Sequence, residues 1–444
     1  MRTGELPRRL GLADSVTIVA GTIIGAGIFL TPSMVARQLP SAGWILAVWA
    51  FSGALSLCGA LAVAELGAMF PSTGGQYIYL RECFGPLAAF LSAWTSFFVF
   101  SSAAIAWLAV SFAMYLGFFV PLGPAAAKAV AVGLLAVIVA VNYCGVKTGA
   151  RVQMVFTVLK AAGLALLIVA AFSTPARVGP AEAAPVWSAA LVSRFGAAMI
   201  ACLLTYDGWI ALSSVAGEVR NPQRTLPRAL TLGIGACVAL YMLANLAYLR
   251  VLSPGEIAAA GRVGTAAAER ALGSMGAAVV SAAILASIVG CLNGWMLTAP
   301  RIYFAQARDG LFFDRFGAVH PRFLTPSQSI LLQGTWAAVL VVTGSFAALA
   351  SYAMFAAWLF YGITVLGMVV LRRRRPELAR PYRMAGYPVA PLMFSAVAFG
   401  FVINTFLTTP GPALTASVLI AGGVPVYWLR RGTSTSERRH GRAA

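Results

Sequence analysis

The chain has 444 residues, of which 60% are hydrophobic and only 10% charged, and its mean hydropathy is +0.84. A soluble domain carries about 25% charged residues, so a water-soluble globular protein is excluded. The net charge of +19 invites a nucleic-acid partner, but the placement of the basic residues gives that reading no support.

A membrane helix needs about 20 consecutive apolar residues. On that criterion the chain divides into about twelve segments, near 14–39, 43–69, 86–120, 125–145, 151–173, 193–216, 229–252, 272–300, 326–346, 349–371, 388–408 and 411–430. The first run is too long for a cleavable signal and has no small-residue cleavage site after it, so the first helix acts as its own targeting signal. With the N-terminus inside, 24 basic residues from Arg2 to Arg442 fall in inner loops and tails. Seven, among them Arg37, Lys128 and Arg177, fall outside, and Lys160 lies within a span. That bias is the positive-inside rule. It predicts an all-α, multi-pass protein of the cytoplasmic (inner) membrane with both termini cytoplasmic and no nucleic-acid partner. Its parts are a cytoplasmic N-terminus (1–13), helices 1–5 (14–173), helices 6–10 (193–371), helices 11–12 (388–430) and a cytoplasmic tail (431–444). Six scattered cysteines show no CxxC pattern, and the only histidines are His320 and His440. No disulfide framework, metal site or cofactor is expected, and the cysteines read as small core residues.

In chain order, the first span carries Thr22-Ile23-Ile24-Gly25-Ala26-Gly27 at its centre. Glycines there each weaken a helix by roughly 0.8–1.0 kcal/mol relative to Ala, and unwound backbone is tolerated at membrane depth only where it lines a cavity or is buried in protein. A break would leave free N–H groups suited to a carboxylate. Glu65 lies about one turn inside the membrane edge and either makes a gating contact with loop arginines or snorkels to the interface. Pro71 and Gly74-Gly75 then shape a tight loop through Glu82. Lys160 lies about 14 Å beyond Arg151, near the middle of a core about 30 Å thick. It marks either a functional site or a counter-ion for Asp207, and a fixed cation there argues against sodium coupling.

The sixth span mirrors the first, with Leu204-Thr205-Tyr206-Asp207-Gly208-Trp209 at its centre. Matched interruptions in two halves point to a transporter site, and the spacing fits a five-plus-five inverted repeat. The alternative for Tyr206 and Trp209 is that they are ordinary packing aromatics. A two-proline cytoplasmic turn follows at 217–228. Asn293 either faces the cavity or bonds a neighbouring helix. The arginines at 372–375, with Arg380 and Arg383, either bind anionic lipid or act as a stop-transfer anchor.

At Gly21–Phe29, Ala64–Gly67, Gly74–Leu80, Tyr206–Trp209, Asn221-Pro222, Leu226–Arg228, Arg374–Pro381 and Gly423–Tyr427 the chain resembles the L-amino-acid transporter family of the amino acid–polyamine–organocation superfamily. Its 29 Arg against 3 Lys fits a bacterial member from a GC-rich genome. The resemblance implies a LeuT-like fold with broken helices 1 and 6, and sodium-independent amino acid transport, commonly by exchange. Backbone at Ile24, Gly25, Ala26 and Gly27 would take the substrate carboxylate. Carbonyls around Thr22, Ile23, Leu204, Thr205 and Asp207 would take its ammonium. Lys160 would stand in for a sodium ion and link the first helix to the scaffold, and Tyr241 would lie near the cytoplasmic side of the site. Ala26 replaces a common serine, and Leu204 replaces a gating aromatic of animal members. The loop at 121–128 lacks the cysteine that bonds a heavy subunit, so none is expected.

Walls such as Ile23, Leu204 and Ile210, with Ser101 or Asn293, would set side-chain selectivity. Their apolar character favours neutral amino acids. A proton-coupled symporter or an exchanger of cationic amino acids or polyamines shares these motifs. An enzyme or membrane sensor is a remote alternative, because no catalytic constellation or appended soluble domain is present.

Overall fold

A computed structural model describes residues 6–39, 41–176, 188–344, 346–408 and 410–440. Arg2, Arg177 and Arg442, placed above by the charge bias, lie outside the described residues. The first span forms as two helices, α1 (Leu12–Ile23) and α2 (Gly27–Gln38), bent by 42° about the glycine-bearing break. Then follow α3 (Ala42–Met69), the short α4 (Gln76–Phe84) and α5 (Pro86–Thr95), which passes through a π-helical turn at Ser96–Phe100 into α6 (Ser101–Leu116). The fourth and fifth spans are α7 (Pro124–Tyr143) and α8 (Val146–Ser173). The sixth is again broken, into α9 (Ala189–Thr205) and the one-turn α10 (Ala211–Ser214). After α11 (Pro222–Val251) and the short α12 (Pro254–Ala259) comes α13 (Val263–Thr298), kinked at Gly273, and then α14 (Pro300–Arg308). The last four are α15 (Ser327–Thr343), α16 (Phe346–Arg374), α17 (Val389–Thr408) and α18 (Pro410–His440).

Among the described residues nine helices are long and apolar enough to cross a membrane, and the α1–α2 pair makes a tenth. The shorter apolar helices α9 and α15 occupy the two remaining predicted spans. The protein is an all-helical multi-pass membrane protein.

Several boundaries differ from expectation for identifiable reasons. The predicted two-proline turn at 217–228 is half helix, because Pro222 takes the first helical position, where its missing N–H costs nothing. Asn221 supplies the left-handed entry (φ 47°). The loop at 71–82 is a five-residue turn followed by α4, entered through Gly74 and Gly75 at φ 120° and 51°. The third span stops at Leu116 rather than 120, and the eighth starts at Val263 rather than 272, the kink at Gly273 lying where the predicted span begins. Helix α18 continues ten residues into the predicted tail. Of the cysteines expected in the core, Cys83, Cys202, Cys237 and Cys291 are buried, Cys58 is half-buried and Cys144, at the end of α7, is exposed.

Helix α1 sits at the centre, against α8, α11 and α13, while α2 packs on α9 and α3 on α11. Apolar side chains gain nothing by leaving lipid, so small residues that let backbones approach drive such contacts. A Cβ on Gly21 would collide with Gln153 and Thr157 of α8, and one on Gly294 with Thr22. Asn293 completes the seam. Its amide donates to Gly149 O (3.0 Å) and Gln153 Oε1 (2.9 Å), and its Oδ1 accepts from Asn142 (2.9 Å). Of the two roles open to Asn293, the structure gives the bond to neighbouring helices. Exposed Val158, Leu166 and Val169 on α8 face outward, as a lipid-facing surface requires.

Candidate functional site

The break in the first span exposes backbone on both sides. Ile24 N–H still closes the last turn of α1 onto Ala20 O (2.8 Å). Ile24 is thus a correction to the expected anion cradle, since its donor is used. Among the described residues nothing accepts from the N–H groups of Gly25, Ala26 and Gly27. They stand at the positive end of α2. The cradle is tight: a Cβ on Gly25 would lie 3.2 Å from Cys291 Sγ, and one on Gly27 would lie 2.9 Å from Thr205 Cγ2. The Thr31 and Thr205 hydroxyls, 2.6 Å apart, hold α2 against α9.

The second break begins at Tyr206. Gly208 adopts φ +112°, and its Cα faces the Thr22 carbonyl so closely that an added Cβ would meet it at 3.0 Å. The two breaks therefore touch backbone to backbone. Tyr241 of α11 spans them, its hydroxyl donating to Ile23 O (3.0 Å) and Thr205 O (3.4 Å). Cys291 Sγ donates to Thr22 O (2.9 Å), and Asp207 N–H reaches Leu204 O (3.4 Å). Each carbonyl oxygen keeps a second lone pair. Asp207 Oδ1 accepts from the Tyr361 hydroxyl at 2.8 Å.

Lys160 is fully buried, and its ammonium donates at 2.5 Å to both Gly21 O and Ile24 O. It is bonded to the broken helix rather than to Asp207. Ser287 Oγ adds a bond to Ile24 O (3.1 Å). A cation and a hydroxyl thus satisfy carbonyls that the unwinding of α1 deprives of helical partners.

Between the breaks lies a cavity. Thr22, Ile23, Gly25, Ala26, Gly27, Leu204, Thr205 and Asp207 line it on one side. Phe100, Ala104, Trp107, Leu108, Cys291, Trp295, Ala353 and Met354 complete the wall. Sequence reasoning missed these eight. The π turn at 96–100 carries Phe100 and sets the register in which α6 presents three more, and no residue pattern announces that turn. Ser101, offered as a wall, instead bonds Ser96 Oγ (2.7 Å), and Ile210 and Asn293 do not reach the cavity. Nor do Ile24, Tyr206, Gly208 or Trp209. Tyr206 packs on Trp49 and Tyr241, and Trp209 on Tyr361 and Phe394. Both are packing aromatics.

The cavity extends along α6 away from the face that carries the N-terminus, and that face is closed by ion pairs. Glu65 is completely buried, binds the Arg372 guanidinium through both oxygens and accepts from Met384 N–H (2.8 Å). It does not snorkel. Arg380 donates to the carbonyls of Leu378 (2.8 Å) and Arg375 (2.9 Å), so part of the 372–383 arginine run is consumed inside the protein. Sequence reasoning missed a second pair, Glu218 with Arg301 (2.8 Å), in which neither side chain is exposed. The carbonyl of Glu218 also receives the N–H groups of Arg9 (2.8 Å) and Leu10 (2.9 Å), clasping the N-terminal segment. Asp309 bonds Arg81 and the Tyr77 hydroxyl (2.6 Å), joining α4 to the end of α14. Among the described residues no cluster of three His, Cys, Asp or Glu side chains could hold a metal ion.

Residues 10–429 match the family profile described as amino acid permease. The chain is 34% identical to the serine/threonine exchanger SteT of Bacillus subtilis, over 95% of this chain and 97% of that one. It is 33% identical to the b(0,+)-type amino acid transporter 1 of Mus musculus, over 97% and 89% of the two chains. With the Asc-type amino acid transporter 1 of Mus musculus the identity is 31%, over 96% and 81%. A match spanning both breaks, the lysine between them and the closing pairs leaves one assignment: the chain belongs to the amino acid permease family, in its L-amino-acid transporter branch.

Proposed function

We propose that this permease exchanges neutral L-amino acids across the cytoplasmic membrane by alternating access, without sodium. The observation that carries the reading is one cavity that offers three free N–H groups, a ring of backbone carbonyls and an otherwise apolar wall. The amides of Gly25, Ala26 and Gly27 take the carboxylate. The carbonyls of Thr22, Ile23, Leu204 and Thr205, with Asp207, take the ammonium. Phe100, Trp107, Leu108 and Met354 face the side chain. Lys160 supplies the fixed positive charge that a sodium ion would otherwise bring to the first break. Tyr241, bonded to both breaks, carries movement of one to the other, and the Glu65–Arg372 pair is a gate whose opening exposes the site to the cytoplasm. Helices 1–5 and 6–10 act as inverted repeats, which the paired breaks support. The charge bias supports cytoplasmic termini. The cysteine-free loop between α6 and α7 supports function without a disulfide-linked subunit.

Asp207 favours a second reading. It is the carboxylate that lines the cavity, so a proton on it would couple transport to a pH gradient, and its charge would draw a cationic substrate. Uptake of labelled alanine, leucine, phenylalanine and arginine into sodium-free proteoliposomes separates these readings. Exchange requires unlabelled amino acid inside and a preference for the neutral labels. Uptake into empty vesicles driven by an inward proton gradient replaces exchange with symport, and preference for arginine replaces the neutral substrate class.

A further inference from the structure

On α11 the guanidinium groups of Arg224 and Arg228 stand four residues apart, both exposed, one helical turn from each other on the same side. Among the described residues neither has an ionic or hydrogen-bonding partner for its side chain. Three acids of this face are already engaged: Glu65 by Arg372, Glu218 by Arg301 and Asp309 by Arg81. Two like charges at this spacing repel, and an anion held between them relieves that repulsion. Both open onto a groove whose far wall is Tyr382, in the linker between α16 and α17. The same side of α11 continues into the membrane as exposed Leu232, Leu243 and Leu246.

We propose that this groove binds a single acidic phospholipid. Its phosphate lies between Arg224 and Arg228, which can grip it bidentately, and one acyl chain runs down the leucine stripe. The stripe separates this ligand from free phosphate, which would use the arginines alone. The phosphate separates it from a zwitterionic lipid, whose own cation repels them. Because the linker that carries Tyr382 also presents Met384 to Glu65, an occupied groove braces the closed N-terminal face.

The test is native mass spectrometry of the full-length transporter in detergent, titrated with phosphatidylglycerol, with phosphatidylcholine, and with phosphatidylglycerol in the presence of glycerol phosphate. The wild-type protein is expected to retain phosphatidylglycerol over phosphatidylcholine, with no displacement by glycerol phosphate. An arginine near an anionic surface contributes about fivefold, so R224Q/R228Q is expected to weaken phosphatidylglycerol binding by roughly 25-fold. R315Q/R322Q, which neutralises two exposed arginines outside the groove, is expected to bind as wild type. Equal retention of the two lipids, or R224Q/R228Q binding like wild type, overturns the proposal. So does an equal loss in the control pair, which would mean diffuse surface charge. Displacement of lipid by glycerol phosphate would make the groove a site for a free phosphate anion and overturn the lipid assignment.

Discussion

Replacing Lys160 with Met keeps the bulk of the side chain and removes its ammonium. Two carbonyls lose a donor, but not equally. Ile24 O retains Ser287 Oγ at 3.1 Å, whereas Gly21 O has no second partner, because the amide four residues on, that of Gly25, is turned away by the break. An orphaned buried carbonyl costs roughly 1–3 kcal/mol, and each lost charged hydrogen bond about 1.5–3 kcal/mol. Against this, the fold no longer buries an ammonium, a relief of several kcal/mol in order of magnitude. Global stability should therefore change little, while the geometry of the first break loses about 2–3 kcal/mol of support. At about 1.4 kcal/mol per decade, exchange should fall by roughly 30- to 150-fold. The assay is labelled amino acid exchange in proteoliposomes, read beside thermal unfolding and elution of the purified variant. A K160M protein that elutes normally and exchanges within about threefold of wild type would refute the role given to the lysine.

Gly25→Leu should abolish uptake while the protein remains in the membrane, because the side chain would enter the cradle against Cys291; retained transport would remove the site from the break. Gly27→Ala puts a methyl 2.9 Å from Thr205 Cγ2 and should cost roughly 1–3 kcal/mol of overpacking. Thr205→Ser, which deletes that methyl, should return part of the loss in thermal stability. Glu218→Ala leaves Arg301 charged and buried and should cost about 3–5 kcal/mol, whereas the paired E218L/R301M should recover most of it. Unfolding curves for the two variants beside wild type test this, and equal destabilisation of the single and double replacements would contradict it. Trp107→Ala enlarges the cavity wall and should shift preference toward bulkier neutral side chains, measured as the ratio of phenylalanine to alanine exchange.

Much of this molecule is legible in its sequence because the bilayer permits few solutions. Apolar runs of about 20 residues must be spanning helices, so the order of the spans and the charge bias between their ends can be read directly. The breaks are legible too. Gly25, Gly27 and Gly208 interrupt runs that would otherwise be continuous helix, and Lys160 and Asp207 are costly at that depth unless they serve a site. What each polar group touches is not legible. Lys160 could have faced Asp207 or the first helix, and only the packing of α8 on α1 brings its ammonium to Gly21 O and Ile24 O. The Ile24 amide, expected in the cradle, is spent on Ala20 O because α1 keeps its last helical bond at Ile24 and unwinds only from Gly25.

An all-helical membrane protein with two interrupted spans follows from residue order alone, since hydrophobic length and glycine placement are local properties. Tertiary structure alone decided the wall of the cavity and the locks on its closed face. Phe100, Trp107 and Met354 look like any core residue until a π turn and helix packing aim them at the breaks. Glu218 and Arg301, 83 residues apart, become a buried pair only when the turn that follows α10 meets α14.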